Sequence, residues 1–208
     1  MENKDQTVYF PEIHTTATDK ETADHLTLAD SQAKITDTVT YTNLLKGETY
    51  TLFGVLMDKD TGKELLINGE PVTSEMSFTA GRASGTKKLE FDVDTTGLAG
   101  KSLVVYETLS LEDVEVAEHK DINDEGQTIH IPEAHTTAAD NDTKINVSQA
   151  KDEIHVTDTV TYRNLVPGKE YTVRGTAVDK ETGKPLQDAD GNELISSVTF
   201  TADKADGT

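Results

Sequence analysis

The segment PEIHTTATD at Pro11 to Asp19 returns as PEAHTTAAD at Pro132 to Asp140, and this repetition constrains the fold more than any other feature of the chain. The same offset of 121 residues carries ITDTVTYTNLLKGETYT (Ile35 to Thr51) onto VTDTVTYRNLVPGKEYT (Val156 to Thr172), and MDKDTGK (Met57 to Lys63) onto VDKETGK (Val178 to Lys184). By the pair SFTAGRASGT and TFTADKADGT it has grown to 122. A period this long denotes a tandem array of whole domains rather than a solenoid of small units. Residues 11–131 read as one complete domain. Residues 132–208 read as the first two thirds of a second, truncated repeat, because Thr208 aligns with Thr86. At the other end DQTVYFPE (Asp5 to Glu12) aligns with GQTIHIPE (Gly126 to Glu133), so residues 1–10 are expected to be a last-strand remnant of a preceding repeat, or a linker. A partial copy is expected to fold poorly alone, because it leaves sheet edges open.

Local signals point to strands throughout. Thirty-two threonines, runs such as TVTY, YTLFGVL and SLVVYETL, and turn clusters at Thr61-Gly62, Asn68-Gly69 and Pro167-Gly168 fit short strands joined by tight turns. Sustained helical periodicity is absent. The expected class is all-β, with immunoglobulin-like antiparallel β-sandwich domains in tandem. A formal charge of −20 would repel a polyphosphate or an anionic membrane surface, which argues against nucleic acid as a partner. No apolar run is long enough to span a bilayer, so no membrane insertion is expected in this segment, and the start Met1-Glu2-Asn3-Lys4-Asp5 does not read as a signal peptide. The absence of cysteine excludes disulfides and thiolate metal sites, so any covalent staple must use other chemistry.

Strand alternation assigns faces, and the informative residues are polar ones on apolar faces. Asp37 shares a face with Ile35, Val39 and Tyr41, and Asp158 repeats it beside Val156, Val160 and Tyr162. Glu107 shares one with Leu103, Val105 and Leu109. Two carboxylates aimed into one core are costly unless paired, protonated or hydrogen-bonded, and close together they would share a proton. Thr15 lies with Ile13 and Ala17, as Thr136 does with Ala134 and Ala138, and Gln127 lies with Ile129 and Ile131 on the last strand. Upstream of Gln127, in HKDINDEGQT, stand His119 and Asp124 in what would otherwise be a solvated acidic loop.

PEIHTTATD, ITDTVTY, SLVVYETL and HKDINDEGQT together resemble the VaFE-type, or Thr–Gln ester-bond, domain repeats of Gram-positive cell-surface adhesins, with Val104-Val105-Tyr106-Glu107 in the VaFE position. The resemblance covers the first copy and what is present of the second. It implies that a threonine hydroxyl attacks a glutamine carboxamide, ammonia leaves, and an ester joins the first strand to the last. Carried over by motif, Thr15 is the nucleophile and Gln127 the electrophile, Asp37 and Glu107 are the buried acid pair, and His119 with Asp124 is the assisting pair. Thr16 is the rival nucleophile, but alternation puts it on the opposite face with His14. The resemblance further implies a structural stalk segment of an extracellular, cell-wall-anchored surface protein. Its partners would be the neighbouring repeats of the same polypeptide, with no cofactor, no metal and only single-turnover self-cross-linking.

The second copy has Thr136 and Asp158 but no counterpart of Glu107, His119, Asp124 or Gln127, so its site is expected to be incomplete. Gln6 aligns with Gln127, yet Asn3 stands where Asp124 has its counterpart. Two other functions stay open on residues alone. One is an immunoglobulin-like ligand-binding adhesin module without a cross-link. The other is an enzyme using the inward carboxylates on glycosides, which an aromatic content of 5% does not favour. QDADGNE at Gln187 to Glu193 lacks the full spacing of a calcium loop and reads as an acidic turn. The host ligand of a parent adhesin is not readable from a stalk repeat.

Overall fold

The computed structural model describes residues 6–208, so Asn3 and its neighbours lie outside the described residues. The chain divides into two compact units with the boundary between Glu133 and Ala134. The strands are β1 (Glu12–Asp19), β2 (Ala33–Thr42), β3 (Thr49–Asp58), β4 (Lys63–Glu64), β5 (Leu66–Ile67), β6 (Glu70–Pro71), β7 (Thr73–Thr79), β8 (Gly85–Val93), β9 (Ser102–Leu111), β10 (Val114–His119) and β11 (Thr128–His130). The later residues form β12 (Glu133–Asp140), β13 (Val156–Arg163), β14 (Glu170–Thr176) and β15 (Ile195–Thr201). Apart from a 3-10 turn at Glu125–Gln127, the named elements are all strands, and the pairs β1–β2, β2–β8, β3–β4, β3–β7, β3–β9, β5–β6, β9–β10, β9–β11 and β14–β15 are antiparallel, as the sequence leads one to expect.

In the first unit β2 sits between β1 and β8, making a three-stranded sheet. A second sheet is centred on β3 and β9, with β7 and β4 on the far side of β3 and with β10 and β11 sharing the far side of β9. Period-two patterning produces these faces. In β1, Ile13, Thr15 and Ala17 are buried while Glu12, His14 and Thr16 are exposed, and in β8 Leu89, Phe91 and Val93 are buried between exposed neighbours. The inner faces meet in one core built on Ile35, Tyr50, Leu52, Leu56, Phe91, Leu103, Leu109, Ile129 and Ile131. Asn68 and Gly69 both take positive φ, 55° and 88°, in the tight turn between β5 and β6, the conformation that an Asn-Gly pair adopts most readily. At Gly54 the absence of a side chain is required for packing, since a Cβ there would lie 2.7 Å from Phe91 Cζ and 2.9 Å from Leu89 Cδ1.

The second unit consists of two hairpin-like pairs, β12 with β13 and β14 with β15. It reproduces details of the first copy: Tyr162 and Tyr171 lie 5.3 and 6.1 Å from Phe200, as Tyr41 and Tyr50 lie 5.3 and 6.1 Å from Phe78. Burial does not follow. Val156 and Val198 are 57% and 60% exposed, and only Leu165 and Ala202 among its apolar residues are fully buried.

Candidate functional site

The edge strand β1 of one sheet and the β10/β11 edge of the other face each other at one side of the sandwich, and the sequence-selected polar residues meet there. Thr15 Oγ1 is 3.1 Å from Glu107 Oε2 and 3.0 Å from His119 Nδ1. His119 Nε2 is 3.0 Å from Asp124 Oδ2. Gln127 Nε2 donates to the same Glu107 Oε2 at 3.1 Å. The Thr15 hydroxyl and the Gln127 carboxamide are thus held against one oxygen atom, no farther apart than two hydrogen-bond lengths. Asp37, Glu107 and Gln127 are 0% exposed and Thr15 7%, whereas the His119 and Asp124 side chains keep 20% and 31% exposure and lie at the rim. Thr16 is exposed on the outer face.

Each position has a local cause. Thr15 pairs with Val39 and Ala17 with Asp37 across the β1–β2 ladder, which sets Asp37 one step along the same inner face. Glu107 lies opposite the bare Gly54 of β3, whose missing side chain leaves the space above it to Leu89 and Phe91 of β8. On its other side Glu107 faces His119, through a register shift between Glu115 and Ala117 in β10. Gln127 differs from expectation, since it closes the 3-10 turn instead of lying on the last strand, which starts at Thr128. It still shares the buried side with Ile129 and Ile131, because the turn delivers it there. Asp124 caps that turn: Oδ1 accepts from Gly126 N at 2.8 Å, leaving Oδ2 for His119.

The sequence reading missed a brace behind the turn. Lys59, just past the end of β3, donates to Glu125 Oε1 at 2.7 Å and to Thr128 Oγ1 at 3.0 Å, gripping the residues on either side of the Gly126-Gln127 pair. Lys59 lies in the repeated MDKDTGK segment, which was a signal available in the sequence.

Electrostatics follows burial. Desolvation pushes the Asp37 carboxyl up to about 6, with the neighbouring Glu107 and His119 offsetting part of the rise. Glu107 is pushed up to about 10, first by burial and then by the Asp37 charge beside it. The two titrate as one system and retain a proton between them at neutral pH. Gln127 Oε1 is buried without a hydrogen-bond partner, and apart from the proton held between Asp37 and Glu107 neither Asp37 oxygen nor Glu107 Oε1 has one, an arrangement tolerable only if charge is kept low. The His119 side is polarised oppositely. In the tautomer that carries its proton on Nε2, facing the Asp124 carboxylate, His119 turns the lone pair of Nδ1 towards the Thr15 hydroxyl.

Thr136 and Asp158 of the second unit are both exposed. Among the described residues no cluster of His, Cys, Asp and Glu is arranged to hold a metal ion. Asp188, in the acidic QDADGNE stretch, accepts from the backbone N–H of Asp190 and of Asn192, each at 2.9 Å.

Comparison with known proteins gives one family. The T-Q ester bond containing domain matches residues 11–131 and again residues 132–208. No curated protein matches the chain. Among solved structures, two crystal forms of a bacterial adhesin from Mobiluncus mulieris containing intramolecular disulfide, isopeptide and ester bond cross-links are similar at 16% and 15% identity, each with a TM-score of 0.49. They cover 94% and 93% of this chain, and 95% of each adhesin chain is covered. A putative β-galactosidase from Bacteroides fragilis is similar over 52% of this chain and 16% of its own, at 18% identity and a TM-score of 0.39.

Proposed function

The chain belongs to the T-Q ester bond containing domain family, and from that premise we propose that Thr15 and Gln127 join in an intramolecular ester, with loss of ammonia, between the first and last strands of its first domain. The observation that carries the proposal is the shared contact of Thr15 Oγ1 and Gln127 Nε2 with Glu107 Oε2, with Glu107 and Gln127 fully buried.

Each group then has a task. Asp124 holds His119 with Nδ1 free, and Nδ1 takes the Thr15 proton as Oγ1 attacks Gln127 Cδ. Negative charge builds on the carbonyl oxygen as the bond forms. A half-turn of the carboxamide exchanges Nε2 for Oε1 and sets that oxygen against Glu107, whose retained proton stabilises it. His119 returns the proton to the departing nitrogen, the C–N bond breaks, and ammonia leaves past the exposed rim. The products are an Oγ1–Cδ ester and one ammonia. Hydrolysis does not follow, because the buried acid pair admits no water to the ester. Folding supplies the proximity, so each molecule turns over once and the domain is not an enzyme in the ordinary sense.

A bond between β1 and the turn leading into β11 lets tension entering at one end of the domain leave at the other without loading the hydrogen-bonded ladders. This suits a stalk segment of an extracellular, cell-wall-anchored adhesin, whose partners are adjacent repeats of the same polypeptide. The test is peptide mapping. Digestion should yield a Thr15-bearing peptide joined to a Gln127-bearing peptide, and alkaline hydroxylamine should separate them. A joined pair resistant to hydroxylamine, or a linkage through Thr16, would contradict the proposal.

A further inference from the structure

The turn that delivers Gln127 is fastened from two sides. Asp124 ties it to β10 through His119. A second series of groups with the same composition stands behind it. Ser102 Oγ lies 3.1 Å from His130 Nδ1, and His130 Nε2 lies 3.4 Å from Glu125 Oε2. Asp124 and Glu125 are therefore adjacent carboxylates, each meeting the Nε2 of an imidazole whose Nδ1 meets a hydroxyl. The second series runs on to Lys59, whose Nζ donates to Glu125 Oε1 at 2.7 Å and to Thr128 Oγ1 at 3.0 Å, while the Thr128 hydroxyl donates to Asp124 O at 2.8 Å. One ammonium thus holds the turn at Glu125 and again just beyond Gln127.

The anchors are themselves fixed in the sheet. Lys59 N donates to Ser102 O at 3.0 Å, and Ser102 faces His130 across the β9–β11 ladder. On its other edge His130 N donates to His25 O at 2.8 Å and Thr27 N donates to His130 O at 3.0 Å, so the connection between β1 and β2 laces β11 in place. The Lys59 hydrogen bond holds the Glu125 carboxyl below the usual carboxylate range, with the Lys59 charge and then His130 acting in the same direction. The Glu125 side chain keeps 71% exposure, so this ion pair contributes little to overall stability.

We propose that Lys59, Glu125 and His130 form a clasp that positions the turn for ester formation, an inference that rests on the Thr15–Gln127 reading above. One turn carries both Gln127, which is attacked, and Asp124, which orients the base, so a shift of the turn misplaces both together. Gln127 Oε1 has no partner, and the carboxamide takes its place from the Nε2 bond to Glu107 and from the backbone that carries it. A misplacement of about 1 Å costs about 10²-fold in rate. The three are positioning residues, acting through Gln127 and Asp124.

The test follows ammonia loss by intact mass against time after refolding. Lys59→Met, Glu125→Ala and His130→Phe should each slow it, the first two by about 10- to 100-fold. Lys59→Met combined with Glu125→Ala should be no slower than the slower of the two alone, because both break one contact. Lys59→Arg, which keeps donors for Glu125 and Thr128, should recover most of the rate. In the Thr15→Val background, Lys59→Met should barely move the urea midpoint. A wild-type rate in any of the three single variants overturns the clasp. A slowing that Lys59→Arg shares in full, or one matched by a comparable fall in the urea midpoint, overturns the positioning role as well. A wild-type chain that keeps its full mass overturns the ester reading itself, which keeps the two failures distinct.

Discussion

Glu107 and His119 stand directly opposite each other across the β9–β10 ladder because β10 carries one extra residue, Val116, between Glu115 and Ala117. With an unbroken register Glu118 would face Glu107, and His119 would turn to the other side of the sheet. The bulge therefore decides whether the acid beside Thr15 is matched by a base or by a second acid.

Deletion of Val116 alone closes the bulge and leaves His119 opposite Glu107, so ester formation should persist. Deletion of Val116 and Ala117 together brings Lys120 opposite Glu107 and should slow it as severely as His119→Ala, by about 10²- to 10⁴-fold, the usual worth of a positioned general base. Adding Lys120→His to the double deletion should recover part of the rate, since that position then faces Glu107. Mass measured against time after refolding reads each variant. Unimpeded ester formation in the double deletion would show that the register of β10 does not position the base.

Without the cross-link, the acid pair should make stability fall as pH rises. The folded-state values of Asp37 and Glu107, about 6 and about 10, lie above those of ordinary carboxyls, so the folded state holds the extra protons. Their contribution is complete below about pH 4 and is lost as pH rises through 6 and on towards 10. Urea midpoints of Thr15→Val should drop over that window, and Glu107→Gln in the same background should flatten the drop. A midpoint independent of pH, or an equal slope with Glu107→Gln, would contradict the assignment.

Removing the ester by Thr15→Val should cost the first domain roughly 4 to 5 kcal/mol, by analogy with a disulfide closing a loop of about 113 residues. Denaturant unfolding of wild type and variant measures the difference. A loss below about 1 kcal/mol would mean that Thr15 is only a packed hydroxyl.

Gly54→Ala and Gly175→Ala occupy equivalent positions and should behave oppositely. The first drives a methyl into Phe91 and Leu89 and should destabilise the first domain by about 1 to 3 kcal/mol. The second meets open space and should leave the second unit unchanged. Equal effects in denaturation experiments on the Thr15→Val background would refute the packing difference.

Much of this was legible in the sequence because a strand has a period of two. Ile13, Thr15 and Ala17, and likewise Leu103, Val105, Glu107 and Leu109, could be placed inward by counting alone. His119 could not be placed in that way. A bulge such as the one at Val116 carries no glycine or proline to mark it, so counting along β10 gives the wrong face; the histidine stands out by its place upstream of Gln127, and the family resemblance gives it a role. Alternation places Gln127 on the last strand, whereas Asp124 caps a short turn that delivers it, a preference that depends on the Gly126 N–H being within reach. Lys59 carries no such signal of its own, because a lysine in a turn looks ordinary until its partners, Glu125 and Thr128, are known to flank the reacting residue.

Intact mass of the purified chain tests the central claim most directly. The account predicts a wild-type protein lighter than its sequence by one ammonia, with Thr15→Val and Gln127→Ala each at full mass. A wild-type chain at full sequence mass, or a deficit that persists in either variant, would contradict it.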